Sequence, residues 1–257
     1  MIASFFSNLK AAGTDYLLIS GQAAVLHGAA FFSEDIDLWM RPTKANCESL
    51  QLALRKSGAV YYKLTPPLAS EHIDRGHGFH FQLPGADPAW LDVMGMPPRA
   101  PVFADAKASA VQMETEWGTL PVVSIPHLIE IKKTQRLGDY PVISNLALNH
   151  IEQQLEPTPA DYRWAMENIF TLETLSQLLA GHPQCVEATE GEWGDLLRKY
   201  QDTPAADKDE AGEILADQMQ ARMLRHQKAD RQYWRVRIDE LRQLRAQGRL
   251  MPVDQPV

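Results

Sequence analysis

Two aspartates one residue apart, Asp35 and Asp37, stand in the run Ser33-Glu34-Asp35-Ile36-Asp37-Leu38-Trp39-Met40. Read as a β-strand, this run turns both carboxylates to one face and Ile36, Leu38 and Met40 to the other. Like charges side by side repel, so stability alone gives little reason for the pair. A divalent cation converts that repulsion into attraction, and Mg²⁺ favours a site of one or two carboxylates completed by substrate phosphates. A solvent-facing edge strand would carry the same pair, so the Asp-Ile-Asp triplet by itself leaves both readings open. A third carboxylate, Asp92, interrupts the apolar run Trp90-Leu91-Asp92-Val93-Met94. An isolated buried carboxylate is costly, so Asp92 faces a cleft, a metal or a cationic partner, unless it lies on the exposed side of an antiparallel pair.

These residues need elements to hold them. Ile2, Phe5, Phe6 and Leu9 recur at helical spacing, with Gly13 placed to end that helix. Tyr16 to Ile19 reads as a buried strand running into Ser20-Gly21-Gln22 and a helix opening at Ala23 to Leu26. A strand, a small-residue turn and a helix start can present backbone N–H groups to a phosphate, although most such turns bind nothing. After Arg41-Pro42-Thr43 a helix is predicted over 44–56, closed by Gly58, then a strand from Ala59 to Leu64 and a loop from Pro66 to Gly78. His72, His77 and His80 fall close together and invite a metal hypothesis, though their spacing matches no metal motif. Phe79 to Leu83 reads as a strand turning at Pro84-Gly85 into its partner, Trp90 to Met94. Leu120 to Ile125 is a further strand, and Pro126 opens a helix to about Leu137 that carries Lys132, Lys133 and Arg136.

Around Glu156-Pro157-Thr158-Pro159 the pattern changes from strands and turns to helices, which places a domain boundary near residue 150: a first domain over 1–150 and a helical one over 151–257. Helices are expected at about 160–169, 172–179 and 192–200. An acidic, alanine-rich stretch, Thr203 to Gly212, then precedes a long helix over 213–247. Between Arg222 and Arg249 that helix carries nine Lys and Arg against three Asp and Glu, which fits a solvated charged face or a basic rail for an RNA backbone. The chain of 257 residues has a hydrophobic fraction of 45% and a charged fraction of 23%, ordinary for a globular protein with a sizeable core. Its net charge of −8 argues against a polyanion binder as a whole, so nucleic-acid contact needs a local basic patch. Cys47 and Cys185, far apart, argue against a disulfide framework and a thiolate zinc site. With no basic leader and no apolar run of about 20 residues, a cytoplasmic protein without membrane contact is expected.

Taken together, the three carboxylates, the glycine turn before them and the lysine-bearing helix after them resemble the nucleotidyltransferase fold of the DNA polymerase β type. In that family a glycine turn precedes Asp-x-Asp, and a third acidic residue follows on a later strand. Here 13 residues separate Gly21 from Asp35, and Asp92 matches the third position. The chain is more closely similar to bacterial nucleotidyltransferase-like proteins related to AbiEii-type toxins. The matching motifs are Gly21-Gln22-Ala23, His27-Gly28, Asp35-Ile36-Asp37-Leu38-Trp39, Asp92-Val93-Met94-Gly95 and Lys132-Lys133-Thr134-Gln135-Arg136 followed by Asp139. The likeness spans about residues 16–150. The sequence departs from it at Ser20, where relatives often have glycine, at Gln22, at Phe31, where they usually carry arginine, and at Ser33, where they have threonine.

The resemblance implies an α+β fold, a mixed sheet flanked by helices and followed by an all-helical C-terminal region. It implies Asp35, Asp37 and Asp92 as catalytic residues and ligands of Mg²⁺ or Mn²⁺. Ser20, Gly21, Gln22, Ser33, Lys133 and Arg136 would bind the nucleotide, with an NTP as substrate. The reaction implied is transfer of a nucleoside monophosphate to an acceptor, RNA or protein, by in-line displacement at the α-phosphorus. A toxin role with a cognate antitoxin, or phage defence, fits either this activity or the other reading, a degenerate module that binds nucleotide or RNA without chemistry.

Overall fold

The computed structural model describes residues 1–204 and 207–257; Ala205 and Ala206, within the expected acidic, alanine-rich stretch, lie outside the described residues. The chain forms two compact units. One comprises Met1–Leu26, Ala30–Ile131 and Gln232–Val257, the other His27–Ala29 and Lys132–Arg231.

The first unit is built on a seven-stranded sheet. Helix α1 (Ile2–Ala12) buries Phe5, Phe6 and Leu9 and ends at Gly13, whose φ of 69° lets its N–H reach back to the last turn. All four residues of β1 (Tyr16–Ile19) are buried, as its apolar run demands. Next come α2 (Ser20–Leu26) and β2 (Asp35–Met40), in which Ile36 and Leu38 are buried and Asp35 and Asp37 half-buried. Helix α3 (Lys44–Lys56) has the predicted bounds: the Thr43 side chain caps it by accepting from Asn46 N–H, and Cys47, Leu50 and Leu54 face inward.

The strand expected over 59–64 shrinks to β3 (Val60–Tyr61), because Lys63 turns to a φ of 57° and two prolines follow. A short helix, α4 (Ser70–Ile73), interrupts the expected loop. Strands β4 (Gly78–Leu83) and β5 (Ala89–Met94) form the predicted antiparallel pair. Helix α5 (Phe103–Ala108) and strand β6 (Val111–Thr115) were not legible beforehand, since one is short and the other mostly faces solvent. Strand β7 (Gly118–Val122) pairs with β6, and Ile125, expected at a strand end, instead opens α6 (Ile125–Lys132).

The strand order is β3-β4-β5-β2-β1-β7-β6. The sheet is mixed, since β2 runs parallel to β5 and β1 to β7, whereas β1 and β2 are antiparallel. The last residues of the chain cover its β3 edge: Tyr61 N–H donates to Gln255 O at 2.9 Å, and Asp254 N–H returns a bond to Tyr61 O at 2.9 Å. An edge so covered no longer offers unpaired backbone groups.

The second unit is helical. Helix α7 (Asp139–Glu152) buries Tyr140, Ile143, Leu146, Ala147 and Ile151 and packs on α8 (Pro159–Asn168) and α9 (Leu172–Gly181). A capping box of Thr158 and Asp161, with Pro159 in the first turn, starts α8. Helices α10 (Cys185–Ala188) and α11 (Gly191–Asp202) follow, and α12 (Lys208–Ala246) is 39 residues long. Because α7 packs with the helices after it, it belongs to the second compact unit, which begins again at Lys132. The chain from Gln232 onward counts with the sheet.

The basic run on α12 is not uniform. Arg222 donates to Met166 O at 3.0 Å and Ile169 O at 2.8 Å, carbonyls at the end of α8, and lies over the Trp193 ring at 4.4 Å. Burial pushes its guanidinium pKa down to about 10. Arg237 lies over the Tyr233 ring at 3.6 Å, whereas Arg225, Lys228, Arg231, Arg235, Arg242 and Arg245 are exposed. Among the described residues no helix is long and apolar enough to cross a membrane.

Candidate carboxylate site

The glycine turn is shaped by packing. Ser20 opens α2 with a φ of 58°, and Gly21 lies so close to Ser33 that an added Cβ would meet its Oγ at 2.2 Å and its Cβ at 2.9 Å. Gln22 Nε2 donates to Ser33 O at 2.8 Å, and Ser33 Oγ donates to Asp35 O at 3.3 Å. The residues read as a phosphate-facing turn therefore fix the start of β2.

Along β2 the alternation sets Asp35 and Asp37 on one face. The parallel pairing with β5 puts Asp37 directly beside Asp92 and Asp35 beside Trp90. Neighbouring strands run about 4.8 Å apart, so three carboxylates share one face of the sheet. The pairing of β5 with β4 sets His80 opposite Asp92 and Gln82 opposite Trp90. His80, Gln82, Trp90 and Asp92 are all half-buried, while Phe79, Phe81, Leu91 and Val93 are fully buried on the other face. His80 Nδ1–H donates to Asp92 Oδ1 at 2.7 Å, with both side chains about a quarter exposed. Tyr62 lies tilted against Trp90, 4.2 Å between ring centroids and 31° between planes, beside this face.

The donor chemistry fits a hard divalent cation, since Mg²⁺ and Mn²⁺ take carboxylate oxygens and His80 engages Asp92 through Oδ1. Hydrogen-bonded ligand carboxylates are the usual arrangement at metal sites. The carboxylates share a face without converging on a point: among the described residues no group of three or more His, Cys, Asp and Glu side chains is set to hold a metal ion.

The histidine trio does not assemble. His72 and His77 meet edge to face at 5.7 Å, and His77 Nε2 lies 2.8 Å from Glu240 on α12, whereas His80 belongs to the sheet. Burial lowers the pKa of His72 below its ordinary value.

Lys133 and Arg136, expected on a helix, lie in the turn after α6. That helix stops at Lys132 because Thr134 Oγ1 and Lys132 Nζ both bond the Asp139 carboxylate, the latter at 2.8 Å, and Arg136 N–H donates to Thr134 Oγ1 at 3.1 Å. Lys133 is buried and Arg136 exposed. Phe31 is fully exposed.

Sequence reasoning missed His80 as the holder of Asp92. The alternation of the β4–β5 hairpin about Pro84-Gly85 was the signal that could have paired them. Trp90 and Tyr62 carried no such signal. No family model and no curated protein sequence matches the chain.

Proposed function

We propose that the chain is a Mg²⁺-dependent nucleotidyltransferase of the polymerase-β-like fold, transferring a nucleoside monophosphate from an NTP to an acceptor. The observation that carries this reading is the register that sets Asp37 beside Asp92, with Asp35 on the same face. Carboxylates side by side on strands spaced about 4.8 Å apart repel by roughly 1–3 kcal/mol in a medium of effective dielectric 20–80, a cost that a bound cation reverses. The sheet order supports the same reading, with β1, its glycine turn and β2 adjacent to β5.

Asp35 and Asp37 would hold the cation, and Asp92 would complete a second position or take the proton of the attacking hydroxyl. His80 orients Asp92 for either task through the 2.7 Å bond to its Oδ1. Mg²⁺, when bound, supplies charge neutralisation at the phosphoryl oxygens and the leaving pyrophosphate. The sequence resemblance assigns Lys133 and Arg136 to the phosphates; both belong to the second unit. RNA or protein as acceptor, and a toxin paired with an antitoxin, are the partners it carries over from the sequence resemblance.

A second reading, nucleotide or RNA binding without chemistry, is favoured by the His80–Asp92 bond, which already gives Asp92 a partner. Incubation with each α-labelled NTP, Mg²⁺ and cellular RNA or protein separates the two. Label transferred by the wild type and lost in folded Asp35→Ala and Asp37→Ala establishes the transferase. Equal labelling by those variants refutes it, and Mg²⁺-independent binding without pyrophosphate release supports the second reading.

A further inference from the structure

The sheet-bearing unit holds a pocket that borders the turn the transfer reading gives to the nucleotide, sharing Gln22 and Ser33 with it, but is walled mainly by residues that reading does not use. This pocket, of about 760 Å³, opens where β2 and β5 begin, closed on its far side by α2 and by the turn between β6 and β7. Its walls are aromatic: Phe31, Phe32, Trp90 and Trp117, with Pro88 and Ile36 beside them. Two of these walls are braced, since Trp117 stacks on Phe6 at 5.5 Å and 14° between planes, and Trp90 packs at a tilt of 31° against Tyr62. The other two, Phe31 and Phe32, stand out into solvent, with Phe31 fully exposed and Phe32 74% exposed. Adjacent phenylalanines left in water on a chain with a well-filled core mark a surface that a ligand covers.

The charge of the pocket is one-sided. Glu34, Asp87 and Glu116 line it, and no Lys, Arg or His stands among the lining residues. These carboxylates repel a polyanion such as a nucleoside triphosphate. An aromatic wall and a carboxylate attract the same partner, because the ring face and the carboxylate both favour positive charge. A concave site of this volume with apolar walls and a few polar groups is of the size that takes a small organic ligand.

We propose that this pocket binds an organic cation, a quaternary or protonated amine carrying an aromatic or branched aliphatic body. The cationic head lies between the aromatic faces and the carboxylates, and the body covers Phe31 and Phe32. The assignment stands on the pocket's own walls and is tested without NTP or Mg²⁺, so its outcome is separate from that of the transfer reading.

The test is calorimetric titration of the full chain with phenyltrimethylammonium, with its uncharged isostere tert-butylbenzene and with benzoate, followed in parallel through the tryptophan indole N–H signals. The expected result is saturable binding of the cation, roughly fivefold to tenfold weaker binding of the isostere and none of benzoate. Phe31→Ala, which removes a fully exposed ring and leaves folding intact, weakens the cation about fivefold or more. Glu34→Gln combined with Glu116→Gln weakens the cation and leaves the isostere unchanged. Equal affinity for the cation and its isostere overturns the proposal, as does the absence of saturable cation binding. Unchanged cation binding in both variants overturns it as well, by placing the ligand elsewhere.

Discussion

Gly21 offers a direct test of what shapes the turn before the carboxylate strand. An alanine there brings a Cβ to 2.2 Å from Ser33 Oγ and 2.9 Å from Ser33 Cβ. Rotation of the hydroxyl relieves the first contact. The second is about 0.5 Å inside ordinary carbon contact and yields only if α2 or the start of β2 moves, against the Gln22–Ser33 bond of 2.8 Å. Overpacking of this kind costs about 1–3 kcal/mol. Ser33→Gly removes both clashing atoms. Alone it costs roughly 1–2 kcal/mol, from added chain freedom and the lost bond to Asp35 O. In that background Gly21→Ala should cost less than about 0.5 kcal/mol, so the double-mutant cycle returns a coupling of about 0.5–3 kcal/mol. Urea unfolding of the four proteins at a common m-value measures it. A Gly21→Ala cost that is the same in both backgrounds would refute the packing argument. Nucleotide binding by the double variant, compared with Ser33→Gly alone, then isolates any role of Gly21 in facing phosphate, because the packing defect has been relieved in both.

His80→Ala removes a 2.7 Å bond between partly exposed groups and should lower stability by about 1 kcal/mol. As a positioning residue His80 should affect kcat of nucleotidyl transfer more than KM, with partial recovery in His80→Asn; unchanged kcat would remove it from the site. The pKa values of His72, His127 and His150 are held below the ordinary 6.5, chiefly by burial. The unfolded chain therefore takes up protons near pH 6.5 before the folded one does. The stability from these histidines is intact above that pH and is lost as the pH falls below it. Thermal unfolding between pH 8 and 5 should show Tm dropping below about pH 6.5, with a shallower drop in His72→Phe; a wild-type Tm that stays level across that range contradicts the assignment.

Much of the site was legible in the sequence because a strand's period of two is unambiguous where charge interrupts an apolar run. Asp35, Asp37 and Asp92 were found that way, and the bounds of β1 and α3 followed from apolar blocks ended by Ser20 and Gly58. What the sequence left open was pairing. The parallel register that brings Asp37 to Asp92 depends on which strands are neighbours, and a strand's own pattern does not encode its neighbour. The turn holding Lys133 and Arg136 was hidden because Thr134 and Asp139 stop α6 by side-chain bonds, without the glycine or proline that announces a helix end. The long basic helix misled in part, since Arg222 satisfies carbonyls of α8 and is set apart from its exposed neighbours only by packing.

Among possible measurements, Mn²⁺ titration followed by the loss of the free-ion paramagnetic resonance signal bears most directly on the facing carboxylates. In the presence of a non-hydrolysable NTP analogue, the wild type should show saturable Mn²⁺ binding. Asp37→Asn and Asp92→Asn, each folded by circular dichroism, should weaken it at least tenfold, the loss of about 1.4 kcal/mol or more that one carboxylate ligand supplies. Titration curves for both variants that superimpose on the wild type would contradict a metal held between β2 and β5.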